Sequence, residues 1–312
     1  MHIPSRGATI LLLLAVAGCA ASPPVAAPSG RIPTPTSTAP TAAPTTTPPP
    51  NPRPNCGHAR VAGTVAIALP GGRRALFAVP PGDDGHHRLP LVIALPGYGR
   101  TSEELAAQSR IPARAMAAGV LAVLPQGAGH VPSWNLSGTK DNGDVSFLSA
   151  LVTKLAATEC GDPARVAITG ISDGGDMAVF AACAMPGTFQ AVVTVAASIN
   201  PRADCHRLRI VAVHGDADPV DPYLGGPDSR PGYLATPPAA AAIASWAALD
   251  GCRTAVTTRV APHVAVTTYP CGAQLVTING GGHTWPGGAP VNPSLGVTTG
   301  EYDATAAILA LL

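Results

Sequence analysis

A buried strand, a glycine-flanked serine and a helix follow one another directly in the middle of this chain. The β-branched run from Val166 to Thr169 predicts the strand, and the alanine-rich run from Asp173 to Met185 predicts the helix. Between them lies Gly170-x-Ser172-x-Gly174, in which a serine on a tight, strained turn projects its hydroxyl from the edge of a sheet. A Cβ at either glycine would collide with the neighbouring strand or helix. Because the helix N-terminus favours developing negative charge, Ser172 is our candidate nucleophile.

The composition bounds the classes of protein and partner. The 312 residues are 46% hydrophobic and 12% charged, with a net charge of +1. A chain with no basic stripe cannot neutralise phosphates and release their counterions, so we expect no nucleic-acid partner. The globular part is long enough for one large α/β core.

The first 18 residues resemble a bacterial export signal. Arg6 precedes a short apolar segment, from Ala8 to Ala17, that is too short to span a bilayer as a stable helix. Small residues then lead directly into Cys19, as in a lipobox, where the cysteine is lipidated and becomes the new N-terminus. We favour a lipid anchor on Cys19 that holds the protein to the outer face of the cytoplasmic membrane. The alternative is an ordinary secretory signal with a stray cysteine, which gives a secreted protein.

The next segment, residues 19–55, is dominated by Pro, Thr, Ala and Ser. Such a segment cannot bury enough apolar surface to fold, so we predict an extended tether with polyproline character. The domain organisation that follows is a signal over residues 1–18, a tether over 19–55 and a folded domain over 56–312.

Six of the seven cysteines remain once Cys19 is set aside, which fits three disulfides in an exported chain. Six cysteines allow fifteen pairings, so the connectivity stays open. The pairs that we favour are Cys252 with Cys271, Cys183 with Cys205 and, by elimination, Cys56 with Cys160. Buried free thiols are the alternative. Because no Cys-x-x-Cys spacing occurs, we expect neither a zinc site nor thioredoxin-like chemistry.

Predicted strands and helices alternate along the domain, so the sheet should be mostly parallel with helices on both faces. The apolar run over residues 89–95 suits a strand that is covered on both faces. The predicted strands are 63–69, 74–79, 89–95, 120–124, 166–169, 189–196, 208–213 and 273–278, with strand-like stretches at 254–260 and 264–269. The predicted helices are 102–118, 144–157, 173–185, 236–249 and 302–312.

Other groups could complete a site around the serine. The glycine-rich loop Pro96-Gly97-Tyr98-Gly99 follows a predicted strand and can bring backbone N–H groups close to a ligand. Since proline cannot donate, the N–H of Tyr98 is the best donor, although the loop could be a plain turn into the next helix. Trp134 and Trp285 are candidates for lining a substrate pocket, and the alternative is that they are half-buried surface aromatics.

A serine nucleophile needs a base, and the base needs an orienting carboxylate. The candidate acid is Asp218, in a His-Gly-x-x-Asp loop directly after a predicted strand, with Asp216 and Asp221 as alternatives. We interpret His214, at the start of that loop, as structural. The candidate base is His283, because the three glycines before it suit a closely packed loop that carries an imidazole to the serine.

These motifs together resemble the secreted polyhydroxybutyrate depolymerase, feruloyl esterase and acetylxylan esterase group of α/β-hydrolases. The motifs that carry the resemblance are residues 89–99, 133–135, 144–148, 170–175, 214–218 and 280–287. The resemblance covers essentially the whole domain and implies an α/β-hydrolase fold with Ser172, Asp218 and His283 as its triad. It also implies backbone oxyanion donors at Tyr98 and Asp173.

Two positions depart from the family. Pro96 stands where the family usually has histidine, and Asp173 is acidic where the family often has a small or neutral residue. We expect an exported serine esterase that cleaves short-chain, hydroxyalkanoate, feruloyl or acetyl esters, with no cofactor or metal. Its partners would be the ester substrate and, through Cys19, a membrane. The alternatives are an acyltransferase of the cell envelope with the same triad and a non-catalytic lipoprotein that keeps the fold for binding.

Overall fold

The computed structural model describes residues 60–137, 142–200, 202, 205, 208–227 and 235–312. The predicted export signal, lipidation at Cys19 and the tether lie outside these residues. The strands are β1 (Gly63–Ala68), β2 (Arg74–Val79), β3 (Leu89–Leu95), β4 (Leu121–Pro125), β5 (Gly161–Ile171), β6 (Ala191–Val195), β7 (Ile210–Gly215), β8 (Val256–Ala261), β9 (Val264–Thr268) and β10 (Gln274–Ile278). The helices are α1 (Ser102–Ser109), α2 (Ile111–Ala117), α3 (Gly143–Thr158), α4 (Asp173–Ala184), α5 (Ala239–Leu249) and α6 (Ala304–Leu309).

All the strands named above join one sheet, in the order β1-β2-β4-β3-β5-β6-β7-β10-β9-β8. The central strands, from β4 through β10 in that order, are parallel to one another. Strands β1 and β2 at one edge, and β8 and β9 at the other, pair in antiparallel fashion. The predicted mostly parallel sheet is confirmed, and it places the loops after β3, β5, β7 and β10 at one edge.

Helices cover both faces of the sheet, as predicted. Alternate residues of β3 enter opposite apolar clusters, with Leu91 and Ile93 on one side and Val92 and Ala94 on the other. Helices α3, α4 and α5 contribute to the first cluster, and α1, α2 and α6 contribute to the second. Each fully buried aliphatic side chain contributes roughly 1.5–3 kcal/mol to this packing. Burial on both faces explains why β3 is a nearly continuous apolar run.

The single helix predicted over residues 102–118 is wrong, because the structure divides it into α1 and α2. Arg110 between them adopts a left-handed conformation with φ of 58°. Pro112 has no N–H, so it cannot donate to the carbonyl of Gln108 four residues earlier. That carbonyl instead accepts the N–H of Ala289 at 2.8 Å. The break therefore provides an attachment point for a distant loop.

Two of the favoured disulfides are present. Cys183, in α4, is joined to Cys205, and Cys252 is joined to Cys271, with Cα–Cα distances of 4.8 and 6.1 Å. The third favoured pair includes Cys56, which lies outside the described residues. Within the described part of the chain, none of the helices combines the length and the apolar character that crossing a bilayer requires.

Candidate active site

Ser172 occupies a strained turn between β5 and α4. Its φ of 57° and ψ of −129° are unfavourable for a residue with a Cβ, and its N–H donates to the carbonyl of Val195 at 2.9 Å. A Cβ at Gly170 would lie 2.3 Å from the carbonyl carbon of Gly174, and a Cβ at Gly174 would lie 2.1 Å from the carbonyl oxygen of Leu95. Both contacts are sterically impossible, so this turn requires glycine on each side of the serine.

The structure brings Asp218 and His283 together. Asp218 follows β7 and His283 follows β10, and these two strands are neighbours. Nδ1 of His283 lies 2.8 Å from Oδ2 of Asp218. The other carboxylate oxygen of Asp218 accepts the N–H groups of Val220 at 2.8 Å and Asp221 at 2.9 Å. These bonds fix the orientation of the carboxylate toward the imidazole.

The two alternative carboxylates have other partners. Oδ1 of Asp216 accepts the N–H of Gly280 at 2.6 Å, and Oδ2 of Asp221 accepts the hydroxyl of Ser198 at 2.9 Å. Asp216 therefore holds a backbone N–H, and Asp221 holds a side-chain hydroxyl. Of the three candidate acids, Asp218 is the one in contact with the predicted base.

His214 also contacts the acid, a relationship that our interpretation of it as structural missed. Its Nε2 lies 3.3 Å from Oδ2 of Asp218 and 3.0 Å from the carbonyl oxygen of Asp221. Burial opposes ionisation of Asp218, but hydrogen bonds with His214 and His283 outweigh it and hold the pKa of Asp218 well below its ordinary value. Burial likewise opposes protonation of His214, but the hydrogen bond with Asp218 and the charge of Asp221 raise the pKa of His214. The spacing of four residues between His214, at the end of β7, and Asp218, in the loop that follows, is the sequence signal that could have shown this contact.

Ser172 and His283 line the same cavity, which has a volume of about 630 Å³. One wall is formed by α1 and the other by residues 289–295, which we call the strap. The exposed ion pair between Arg100 and Glu104, 3.0 Å apart, lies on the α1 side. The apolar lining side chains include Leu105, Ile171, Val220, Val291 and Leu295.

Backbone hydrogen bonds hold the strap at both ends. The N–H of His283 donates to the carbonyl of Leu295 at 2.7 Å, and the N–H of Ala289 donates to the carbonyl of Gln108 at 2.8 Å. The first bond ties the strap to the base, and the second ties it to α1. The relative positions of the imidazole and the two cavity walls are therefore set by one bonded framework.

Trp285 is a packing residue, which corrects our expectation that it lines the substrate pocket. Its side chain is completely buried, and its indole N–H donates to Oγ1 of Thr305 at 3.0 Å. The hydroxyl of Thr305 in turn donates to the carbonyl of Ser109 at 2.7 Å. Trp285 is therefore bonded to α6, and Thr305 in turn ties α6 to the end of α1.

Trp134 is also buried, and it is not among the described residues that line the cavity. Its indole N–H donates to the carbonyl of Pro96 at 2.8 Å, and its backbone N–H donates to Oδ2 of Asp173 at 3.0 Å. The prediction that Trp134 lines the pocket is therefore corrected, because the residue is buried and both of its N–H groups bind groups of the protein. The carboxylate of Asp173, which is acidic against the family pattern, is occupied by one of these bonds.

The two predicted backbone donors follow adjacent strands. Tyr98 lies in the loop after β3, and Asp173 begins α4 after β5. Tyr98 lines the cavity together with Ser172, and no described backbone carbonyl accepts its N–H. Asp173 is adjacent in sequence to Ser172, at the positive end of a helix. Both N–H groups therefore lie next to Ser172 or in the wall of its cavity, where they could donate to a bound anion.

Comparison with known proteins identifies the family of the chain. Residues 112–219, which include Ser172 and Asp218, match the prolyl oligopeptidase family. The chain is 30% identical to "Putative esterase NocK" of Nocardia uniformis, over 96% of this chain and 95% of that protein. The chain therefore belongs to the same family as this relative, a family of α/β-hydrolase esterases.

Two fungal proteins provide further comparisons. "Probable feruloyl esterase C" of Aspergillus clavatus is 30% identical over 99 residues, which span 30% of this chain and 36% of that protein. The acetyl xylan esterase from Aspergillus awamori has the same fold, with a TM-score of 0.57 over 75% of this chain and 97% of that chain at 15% identity. The predicted α/β-hydrolase fold is confirmed.

Proposed function

We propose that this carboxylic ester hydrolase is an exported serine esterase in which Ser172, His283 and Asp218 form a catalytic triad. The observation that carries the proposal is the 2.8 Å contact between Nδ1 of His283 and Oδ2 of Asp218. The cavity that Ser172 and His283 share supports it, because a substrate carbonyl there could meet both side chains.

The reaction follows from these positions. Oγ of Ser172 attacks the ester carbonyl, and Nε2 of His283 accepts the hydroxyl proton and passes it to the departing alcohol. Asp218 keeps the proton of His283 on Nδ1 and stabilises the imidazolium that forms. The N–H groups of Tyr98 and Asp173 bind the oxyanion, where one such donor is worth about 2.7–4 kcal/mol. Water then attacks the acyl-enzyme by the same route and releases the acid.

The cavity supports uncharged esters as substrates. Its walls are mainly apolar and small side chains, and the charges of Arg100 and Glu104 neutralise each other. A volume of about 630 Å³ leaves room for an acyl or alcohol group larger than acetyl. We therefore propose uncharged esters as substrates, and the candidates to compare are short-chain, hydroxyalkanoate, feruloyl and acetyl sugar esters.

The test is hydrolysis of this panel by the purified protein and by Ser172→Ala, His283→Gln and Asp218→Asn. We expect Ser172→Ala to lower kcat by about 10⁴-fold or more and to abolish labelling by a fluorophosphonate probe. Asp218→Asn should leave labelling detectable but slow, because the wrong tautomer of His283 is then favoured. Equal hydrolysis by the wild type and Ser172→Ala would exclude the mechanism. Transfer of the acyl group to added methanol in preference to water would instead identify an acyltransferase.

Export and lipidation are a separate part of the proposal. The two disulfides support an oxidising compartment, since such bonds are rare in the cytosol. We propose that Cys19 carries the lipid. Metabolic labelling with an alkyne fatty acid should mark the wild type and not Cys19→Ala, and the variant should leave the membrane fraction. Labelling of both proteins to the same extent would contradict the anchor.

A further inference from the structure

Trp134 is bonded to both of the segments that carry the proposed oxyanion donors, the loop after β3 and the start of α4. The indole N–H binds the carbonyl of Pro96, at the start of the loop that contains Tyr98. The backbone N–H binds the carboxylate of Asp173, whose own peptide N–H is the other proposed donor. One residue therefore connects the two segments whose N–H groups would have to point at the same oxygen atom.

The Tyr98 peptide is held on both sides by the segment that contains Trp134. On one side the carbonyl of Pro96 accepts the indole N–H at 2.8 Å. On the other side the N–H of Gly99 donates to the carbonyl of Pro132 at 2.7 Å. Because both bonds come from the same segment, a shift of that segment would move the Tyr98 N–H with it.

The segment is itself fixed to the body of the domain. Ala128 and Ser133 exchange two backbone hydrogen bonds of 3.0 Å each, which close the loop before Trp134. The N–H of Asn135 donates to Oδ2 of Asp144 at 2.8 Å, and Asp144 also pairs with Arg73 at 2.7 Å. Because the segment that contains Trp134 is fixed in this way, its hydrogen bonds can hold the Tyr98 loop and the start of α4 in place.

The bonds are protected from water. Trp134 is 5% exposed and Asp173 is fully buried. Water cannot readily replace the indole N–H at the Pro96 carbonyl, so loss of that donor leaves a buried acceptor to be satisfied by movement of the loop. Misplacement of a preorganised donor raises the barrier of the reaction without weakening ground-state binding equally.

We propose that Trp134 is a positioning residue that sets the distance between the oxyanion donors of Tyr98 and Asp173. This inference rests on the proposed function, since it assigns a role within that mechanism. It gives the carboxylate of Asp173 a task, which is to hold Trp134, and it explains why an acidic residue is accommodated directly after the nucleophile.

The test compares Trp134→Phe with a matched control, Trp246→Phe. Trp246 is 3% exposed and donates its indole N–H to the carbonyl of Ile199 at 2.8 Å, so both variants lose one buried indole–carbonyl bond. The measurements are kcat and KM for a p-nitrophenyl ester, the inhibition constant of phenylboronic acid, and the melting temperature. Phenylboronic acid forms a tetrahedral anionic adduct with a serine nucleophile and requires the oxyanion donors.

We expect Trp134→Phe to lower kcat by about 10-fold, to raise the inhibition constant of the boronic acid by a similar factor and to leave KM within about 2-fold. Trp246→Phe should lose comparable thermal stability with kcat and inhibition unchanged. The inference is overturned if folded Trp134→Phe keeps wild-type kcat and inhibition, or if Trp246→Phe shows the same losses. Ser172→Ala, measured in parallel, separates the two proposals, because activity in that variant would refute the serine mechanism itself.

A second pair of variants decides the matter if Trp134→Phe does not fold. Asp173→Ala removes the acceptor for the backbone N–H of Trp134, whereas Asp173→Asn keeps an oxygen at the same place. Asp173→Ala should show the full loss of kcat and of boronic acid binding, and Asp173→Asn should show a smaller loss of both. Equal losses in the two variants would overturn the inference.

Discussion

Nε2 of His214 lies 3.3 Å from Oδ2 of Asp218, the same oxygen that Nδ1 of His283 approaches at 2.8 Å. Two imidazoles, one at the end of β7 and one in the loop after β10, therefore share one carboxylate oxygen. The backbone N–H groups of Val220 and Asp221 occupy the other oxygen. With all of these partners in place, the carboxylate has one orientation, and that orientation faces His283.

Replacement of His214 should impair the acid without removing it. We expect His214→Leu to lower kcat by about 10-fold with little change in KM, because Asp218 loses a partner that fixes its orientation. His214→Gln, whose amide N–H can replace the Nε2–H, should retain most of the activity. Steady-state kinetics with one ester checks both variants. If His214→Leu is as active as the wild type, the contact has no part in positioning the acid.

The raised pKa of His214 predicts a pH dependence of stability. The folded pKa lies above the ordinary value of 6.5, so the contribution of His214 to stability is fully present below about pH 6.5 and is lost as the pH rises through the folded pKa. Urea unfolding of the wild type and His214→Gln at pH 5.5–8.5 isolates this effect, since the pKa of Asp218 is held far below that range. The stability difference between the two proteins should shrink as the pH rises. A constant difference would contradict the assignment.

Gly174→Ala should damage both stability and activity. The new Cβ would lie 2.1 Å from the carbonyl oxygen of Leu95 and 2.5 Å from that of Pro96, so the loop after β3 must move. We expect a loss of about 1–3 kcal/mol in the free energy of unfolding, with a lower kcat. Gly143→Ala is the control, because its Cβ meets no atom within 4 Å at the start of α3, and it should stabilise by up to about 1 kcal/mol. Equal melting temperatures for the two variants would show that the turn has room for a Cβ at residue 174.

Removal of the disulfide between Cys183 and Cys205 should destabilise the domain. The bond joins residues 22 positions apart, at the end of α4 and before β7, and bonds of this span contribute about 2–4 kcal/mol. Chemical unfolding of the Cys183→Ala/Cys205→Ala double variant measures the loss. Thiol labelling of the native wild type provides the check, because labelling of either cysteine without reductant would contradict the bond.

The candidate acid and base could be predicted from sequence because each lies directly after a strand. Asp218 and His283 lie in loops rich in glycine or aspartate, which is a composition unsuited to a hydrophobic core. The parallel sheet brings these loops to the same edge. The break at Arg110 was also readable, since Pro112 cannot continue a helix hydrogen-bond pattern. The helix that we predicted over residues 102–118 took no account of this proline.

The roles of the tryptophans could not be predicted in this way. The bond from Trp134 to Pro96 joins residues 38 positions apart, and both lie in irregular loops. Hydrophobic periodicity assigns faces to helices and strands, but it carries no information on where an indole N–H in a loop finds its acceptor. The same limitation applies to Trp285, whose partner Thr305 belongs to the last helix.

The strap is bonded to other parts of the domain at both ends, and its middle is closed by a bond within the strap. Ala289 is bonded to Gln108 and Leu295 to His283, while Oδ1 of Asn292 accepts the N–H of Ser294 at 3.0 Å and closes the turn between them. Because the bonds to Gln108 and His283 are made by backbone groups, the side chains of residues 290–292 can change without removing the bonds that hold the imidazole. Since Pro290, Val291 and Asn292 line the cavity that contains Ser172, substitutions in this turn would reshape the cavity and leave the position of His283 intact.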